Sequence, residues 1–176
     1  MSDPVSVGLL ILRIALGVVF LAHGVKHLLG REKTTAWFES IGFKAPGFQW
    51  LASTATELGV GVLFVLGLGT SLAAAGAIGI MTVAFWTVHR PAGYFITAFM
   101  KEGIDVEGYE YVATLALASA AVGIAGAGEY SIDSGLMVGD DSVLTALSGD
   151  MGLVLVAVGI VAAIAQIAVF WRPNST

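Results

Sequence analysis

Apolar runs of about twenty residues alternate with short polar links along this chain. A helix crosses ~30 Å of hydrocarbon with about 20 residues, at ~1.5 Å of rise each. Five runs meet that length. The first spans about Val5 to Leu29. The second starts near Pro46, which suits a first helical position because the N–H it lacks would be unpaired there anyway, and it reaches about Leu66. The third runs from about Ser71 to His89 and stops before Pro91. The fourth covers about Gly108 to Ala127, and the fifth about Met151 to Trp171. The link Gly67-Leu68-Gly69-Thr70 is so short that the second and third helices must form an antiparallel hairpin.

Three links are longer. Thr34–Ile41 sets Ala36, Trp37, Phe38 and Ile41 among polar Thr35, Glu39 and Ser40. That pattern predicts a short amphipathic surface helix with Gly42 as its C′ residue. Gly93–Met100 is apolar and aromatic, so it is expected to lie in the interface or dip back into the protein. Glu129–Asp150 is acidic and rich in Gly and Ser, with Asp133, Asp140, Asp141 and Asp150. It reads as a partly mobile outer loop. A strict Gly-x-x-x-Gly occurs only at Gly135/Gly139, in that loop. The looser small-residue pairs Ala75/Gly79, Gly123/Ala127 and Gly159/Ala163 predict close helix packing.

Composition agrees with a bilayer. Only 12% of the 176 residues are charged and 57% are apolar, with a mean hydropathy of +0.88; soluble domains carry about 25% charged residues. The fold class is therefore an all-α membrane protein. The net charge of −5 argues against nucleic-acid binding, which usually needs a basic stripe. With no cysteine, disulfides, thiolate metal sites and thiol redox chemistry are excluded. Asp3 is the only charge before Arg13, so the first run lacks a basic signal-peptide start and reads as a retained helix. Of the eight Lys and Arg, all but Arg13 fall at one side of a five-span arrangement. The positive-inside rule puts that side in the cytoplasm, with the N-terminus outside and the C-terminus inside.

Several charges interrupt the runs. A charged group deep in a bilayer costs roughly 2.5–3.5 kcal/mol by insertion scales, so it tends to face a protein interior or a polar cavity. Arg13 sits about 12 Å below the outer end of the first helix, and Glu57 about 10–15 Å from the inner end of the second. Arg13, Leu16, Phe20, His23 and His27 share one helical stripe. Thr82, Phe85 and His89 share another, as do Glu110 and Thr114. His23, Glu57, His89 and Glu110 are thus expected to converge on a polar pocket with aromatic walls, open toward the inner interface. Arg13 reads as a structural ion-pair partner of Glu57. Glu57 is the hardest to read otherwise, since its depth leaves no water without a cavity. Several others have plainer readings. His89 would be a plain helix end before Arg90-Pro91. His27 would be an exposed interfacial residue, Lys26 would snorkel to headgroups, and Glu110 would complement a helix dipole. His23 and His27 have the i, i+4 spacing of a metal pair, but with no clear carboxylate beside them no metal site is assigned. A bis-histidine haem between His23 and His89 is geometrically allowed and not favoured.

Several of these stretches resemble the DoxX-like family of small bacterial and archaeal membrane proteins. They are Leu10-Ile-Leu-Arg-Ile-Ala-Leu-Gly-Val-Val-Phe-Leu-Ala-His-Gly-Val-Lys26, Gly42-Phe-Lys-Ala-Pro46, Glu57-Leu-Gly, His89-Arg-Pro-Ala-Gly-Tyr94, Gly108-Tyr-Glu-Tyr111 and Gly128-Glu-Tyr-Ser-Ile-Asp133. The resemblance covers about residues 7–133. It implies a four-helix transmembrane core over residues 1–133, to which residues 134–176 add an acidic outer loop and a fifth transmembrane helix. It also implies a redox setting, since members are linked by name to quinone-coupled thiosulfate oxidation and to oxidative-stress assemblies.

Two functions are carried forward. The first is a redox-associated protein of the plasma membrane whose His23, Glu57, His89 and Glu110 hold the polar head of a quinone or lipid. The sequence shows no flavin, iron–sulfur or thiol motif, so its electrons would come from a redox or respiratory membrane-protein partner. The second is a non-enzymatic accessory or assembly subunit of a larger membrane complex, its polar cluster serving only to fix helix register. Membrane lipids are expected partners of either, a homo-oligomer is compatible with both, and no catalytic residue is assigned.

Overall fold

The computed structural model describes residues 3–136 and 147–173. Among them the secondary structure is helical, with a single isolated bridge and no strand. The long helices are α1 (Pro4–Leu29), α3 (Pro46–Leu66), α4 (Thr70–Ala84) and α6 (Asp150–Phe170). A short α2 (Arg31–Ser40) follows α1, and α5 (Glu110–Ala125) precedes α6. α4 continues through a π-helical turn, Phe85–His89, and a 3-10 turn, Arg90–Ala92. That makes Thr70–Ala92 one apolar rod of 23 residues.

The ends of the helices follow local chemistry. The Asp3 carboxylate accepts hydrogen bonds from the Val5 and Ser6 N–H groups, and Pro4 opens α1. These donors hold the Asp3 carboxyl below its ordinary range. Pro46 opens α3 as expected. α3 ends at Gly67 in the left-handed region. α2 starts three residues earlier than its pattern suggested and stops before Gly42, whose φ of +93° fits a C′ residue.

α1, α3, α4 and α5 form a four-helix bundle around Leu16, Phe20, Val60, Phe64, Ala73, Ala74, Ala77, Leu115 and Val122. Lipid tails are as apolar as leucine, so close backbone approach matters more here than apolar burial. Gly17 and Gly61 let α1 and α3 meet, since a Cβ on either would stand 2.9 Å from the carbonyl oxygen of the other. α6 packs on α4 and α5. A Cβ on Gly159 would fall 2.3 Å from the Ala75 carbonyl oxygen, and one on Gly152 would fall 2.3 Å from that of Gly123. Ala75, Gly79 and Gly159 of the small-residue pairs read from the sequence therefore sit at the α4–α6 contact, and Gly123 at the α5–α6 contact.

Among the described residues four helices are long and apolar enough to cross a bilayer, which makes this a multi-pass membrane protein. The expected fourth span is shorter than its apolar run: α5 has 16 residues, about 24 Å. Two residues are lost at each end, and the two at its start belong to a folded-back link. Gly108, Tyr109 and Glu110 donate backbone hydrogen bonds to the carbonyls of Phe95, Gly93 and Tyr94. Gly108 has to be small, because a Cβ would lie 2.2 Å from the Phe95 carbonyl oxygen. The Gly93–Met100 segment thus braces α5 with its backbone while Tyr94, Phe95, Phe99 and Met100 stay exposed.

At the other termini, the Glu129 N–H donates to Ser6 Oγ and the Gly149 N–H to the Ile124 carbonyl. The start of α1, the end of α5 and the start of α6 thus share one end of the bundle. Lys44 N–H donates to the Phe170 carbonyl, and Trp171 Nε1 to that of Ile41. The end of α6 and the α2–α3 link share the opposite end. The acidic link falls partly outside the described residues, including Gly139, Asp140 and Asp141.

Candidate functional site

A cavity of about 990 Å³ occupies the end of the bundle where α1 finishes and α3 begins. α1 supplies His23, Lys26 and His27, α2 supplies Lys33 and Trp37, and α3 supplies Glu57. The end of α4 and its π turn add Met81, Thr87 and His89, α5 adds Tyr111, and α6 adds Gln166. His23, Glu57 and His89, on three different elements, therefore border one space. The π turn matters here. Such turns shift the side-chain register and recur at functional sites, and this one carries both Thr87 and His89 to the cavity wall.

Glu110 does not join them. It sits beside the cavity, between lining residues Gly108 and Tyr111, and its Oε2 accepts from the Ile96 N–H at 3.0 Å. The folded-back link offers this carboxylate a backbone donor. His89 Nδ1 lies 2.8 Å from the Glu107 carbonyl oxygen. That contact fixes the ring and leaves Nε2 as its other polar edge.

Arg13 does not pair with Glu57, and here the expectation is corrected. Arg13 is fully buried, and its guanidinium is spent on three carbonyls: Nε to Ala127 at 2.9 Å, Nη1 to Phe64 at 2.9 Å and Nη2 to Tyr130 at 2.6 Å. Asp133 is close enough to interact with it electrostatically. The same Asp133 caps the start of α4, its two oxygens accepting from Gly69 N–H at 2.7 Å and Thr70 N–H at 2.9 Å. A Cβ at Gly67 would stand 2.4 Å from Arg13 Nη1, so that glycine is needed for space as well as for its φ of +62°. Arg13 and Asp133 together lock the end of the bundle away from the cavity.

Glu57 meets His27 instead. Glu57 is 4% exposed, and its Oε2 lies 2.8 Å from His27 Nδ1. The alignment is not that of a hydrogen bond, and neither atom has a hydrogen-bond partner. His27, read from the sequence as interfacial, is half-buried and held by its backbone: Trp50 Nε1 donates to its carbonyl at 2.9 Å, with Arg31 stacked 4.7 Å over the Trp50 ring. The His23 ring stands edge-on to that of His27, with centroids 6.4 Å apart. Ligand atoms of His23, His27 and Glu57 all lie within 4.8 Å of one another. The carboxylate missing beside the histidine pair in the sequence is thus supplied by the neighbouring helix.

Gln49 and Gln166 also escaped the sequence reading. Gln49 is 1% exposed, and its Oε1 accepts from Gln166 Nε2 at 2.7 Å, joining α3 to α6 beside the cavity. A polar residue at 166, within the most apolar of the spans, was the available signal.

Comparison with known proteins agrees with the resemblance over the first half of the chain. Residues 8–90, just under half of it, match the DoxX family model. The protein named Putative oxidoreductase CatD, from Bacillus subtilis (strain 168), is 38% identical over 72 residues, which is 41% of this chain. The match spans 52% of that protein, so the chain covers about half the length of this relative. No solved structure matches.

Proposed function

We propose that this chain, DoxX-like over residues 8–90, is a redox-associated protein of the plasma membrane that holds a quinone in the cavity between α1, α3 and α4. The observation that carries the reading is the cavity itself. It has room for a ring and part of an isoprenoid tail, and pockets of about 300–1,000 Å³ lined by apolar groups with a few polar ones are typical ligand sites. His23 and His89 offer hydrogen bonds to quinone oxygens, while Trp37, Phe38 and Tyr111 offer aromatic walls. A histidine or Glu57 would take or give the proton that accompanies quinone reduction. The name of the Bacillus relative is consistent with an oxidoreductase setting. Electrons come from a partner protein of the membrane.

The seven basic residues other than Arg13 (Lys26, Arg31, Lys33, Lys44, Arg90, Lys101 and Arg172) gather on the elements and links at the cavity end. By the positive-inside rule that end faces the cytoplasm. Purification from native membranes tests the reading. About one quinone per chain should co-purify, and His23→Ala or His89→Ala should lower that amount while the bundle stays folded. A phospholipid as the sole occupant, or an unchanged quinone content in both variants, would count against it.

A further inference from the structure

We propose that His23, His27 and Glu57 bind one divalent first-row transition ion on the cavity wall. The proposal goes beyond the quinone reading and does not depend on it. Three observations carry it. The first is spacing: His23 and His27 stand one helical turn apart on α1, and Glu57 reaches them from α3, with all three ligand atoms inside 4.8 Å. An ion bound at ~2.0–2.1 Å holds neighbouring ligands about 3 Å apart and opposite ones about 4 Å apart. The observed 2.8 Å between His27 and Glu57 suits two neighbouring ligands, and a modest turn of the exposed His23 ring completes the set.

The second is the state of the buried atoms. Glu57 Oε2 and His27 Nδ1 are buried and face each other as an ion pair at 2.8 Å, with no hydrogen-bond partner beyond it. Unmade hydrogen bonds at buried polar atoms are rare and costly. A cation between the two satisfies both at once and neutralises a carboxylate that lies inside a membrane-spanning helix.

The third is rigidity. A Cβ on Gly24 would meet Leu58 at 2.8 Å, so α1 and α3 are in close contact at residues adjoining His23 and Glu57, and Trp50 fixes the His27 backbone. Two imidazoles and one carboxylate suit ions such as Zn²⁺ or Fe²⁺ better than Mg²⁺ or Ca²⁺, which prefer all-oxygen sets. The remaining coordination positions face the cavity.

The test uses the full chain, purified in detergent through a tag without histidine and stripped with a chelator. Equilibration with Zn²⁺ should leave about one ion per chain by elemental analysis, and Co²⁺ in its place should give visible absorption bands. Glu57→Gln and His27→Ala should each weaken binding by ~10-fold or more, whereas His89→Ala should leave it unchanged. His23→Ala changes an exposed side chain and so keeps the test valid if the buried variants fail to fold; it should weaken binding as well. Zn²⁺ should raise the Tm of the parent chain and not that of Glu57→Gln. Substoichiometric Zn²⁺, or tight binding retained in His23→Ala and Glu57→Gln, overturns the site and leaves a plain His27–Glu57 ion pair. Quinone content measured on the same samples separates the two proposals, because either ligand can be found without the other.

Discussion

Arg13 shows what single residues did and did not disclose. Its position inside an apolar run announced a buried charge that needed partners, and its stripe with Leu16 and Phe20 is buried as that spacing implied. The identity of the partners was hidden. Helical rise gives depth along one helix, but which residues face each other depends on how α1 slides against α3, and the Gly17–Gly61 contact sets that register. In this register Arg13 meets the end of α3, and Glu57 meets His27, fourteen residues further along α1. That is about 21 Å away. The carbonyls at the end of α3 and after α5 then take up the guanidinium, with the Asp133 carboxylate close by. Arg13→Met should cost about 3 kcal/mol or more, since two buried carbonyls and a part-buried one lose a charged donor at roughly 1–3 kcal/mol each. Thermal unfolding in detergent would show it. The double variant Arg13→Met with Glu57→Gln should be additive within ~0.5 kcal/mol, as for residues that share no partner. A coupling well above that would restore the pair the structure denies.

At the scale of elements, hydrophobic run length located every long helix, because a bilayer allows few alternatives to a spanning helix. It overstated α5, where Gly108 and Tyr109 are apolar enough to extend the run yet are tied by hydrogen bonds to Gly93 and Phe95. Run length is blind to a backbone that folds back. It was also blind to the π turn at Phe85–His89, which changes no composition. The small-residue pairs were legible, and they predict how α6 is held. Gly159→Leu forces a side chain against the Ala75 backbone, where nothing flexible can give way. It should destabilise the packing of α6 by ~1–3 kcal/mol or displace the helix. Cysteine crosslinking between positions 79 and 163 should report the displacement as a loss of crosslink. Gly8→Leu is the control, as a Cβ at Gly8 has no neighbour within 4 Å.

For the whole molecule, the charge pattern and the packing agree on which links share an end. The α2–α3 link pairs with the end of α6, so Arg172 joins Lys44 on the basic side. Reporter fusions after Ser134 and Arg172 should report outside and inside respectively; both on one side would refute the fifth span. The cavity was foreseen at that end with three of its four expected polar residues. His27 was missed because nothing in one helix says what the next will set against it. The central claim is that this cavity holds a quinone. Photolabelling with an azido-quinone in intact membranes, followed by peptide mapping, tests it most directly. The account predicts label within residues 19–27, 52–57 and 75–89, competed away by excess unmodified quinone. Label confined to the lipid-facing side of α6, or label that excess quinone does not displace, would contradict it.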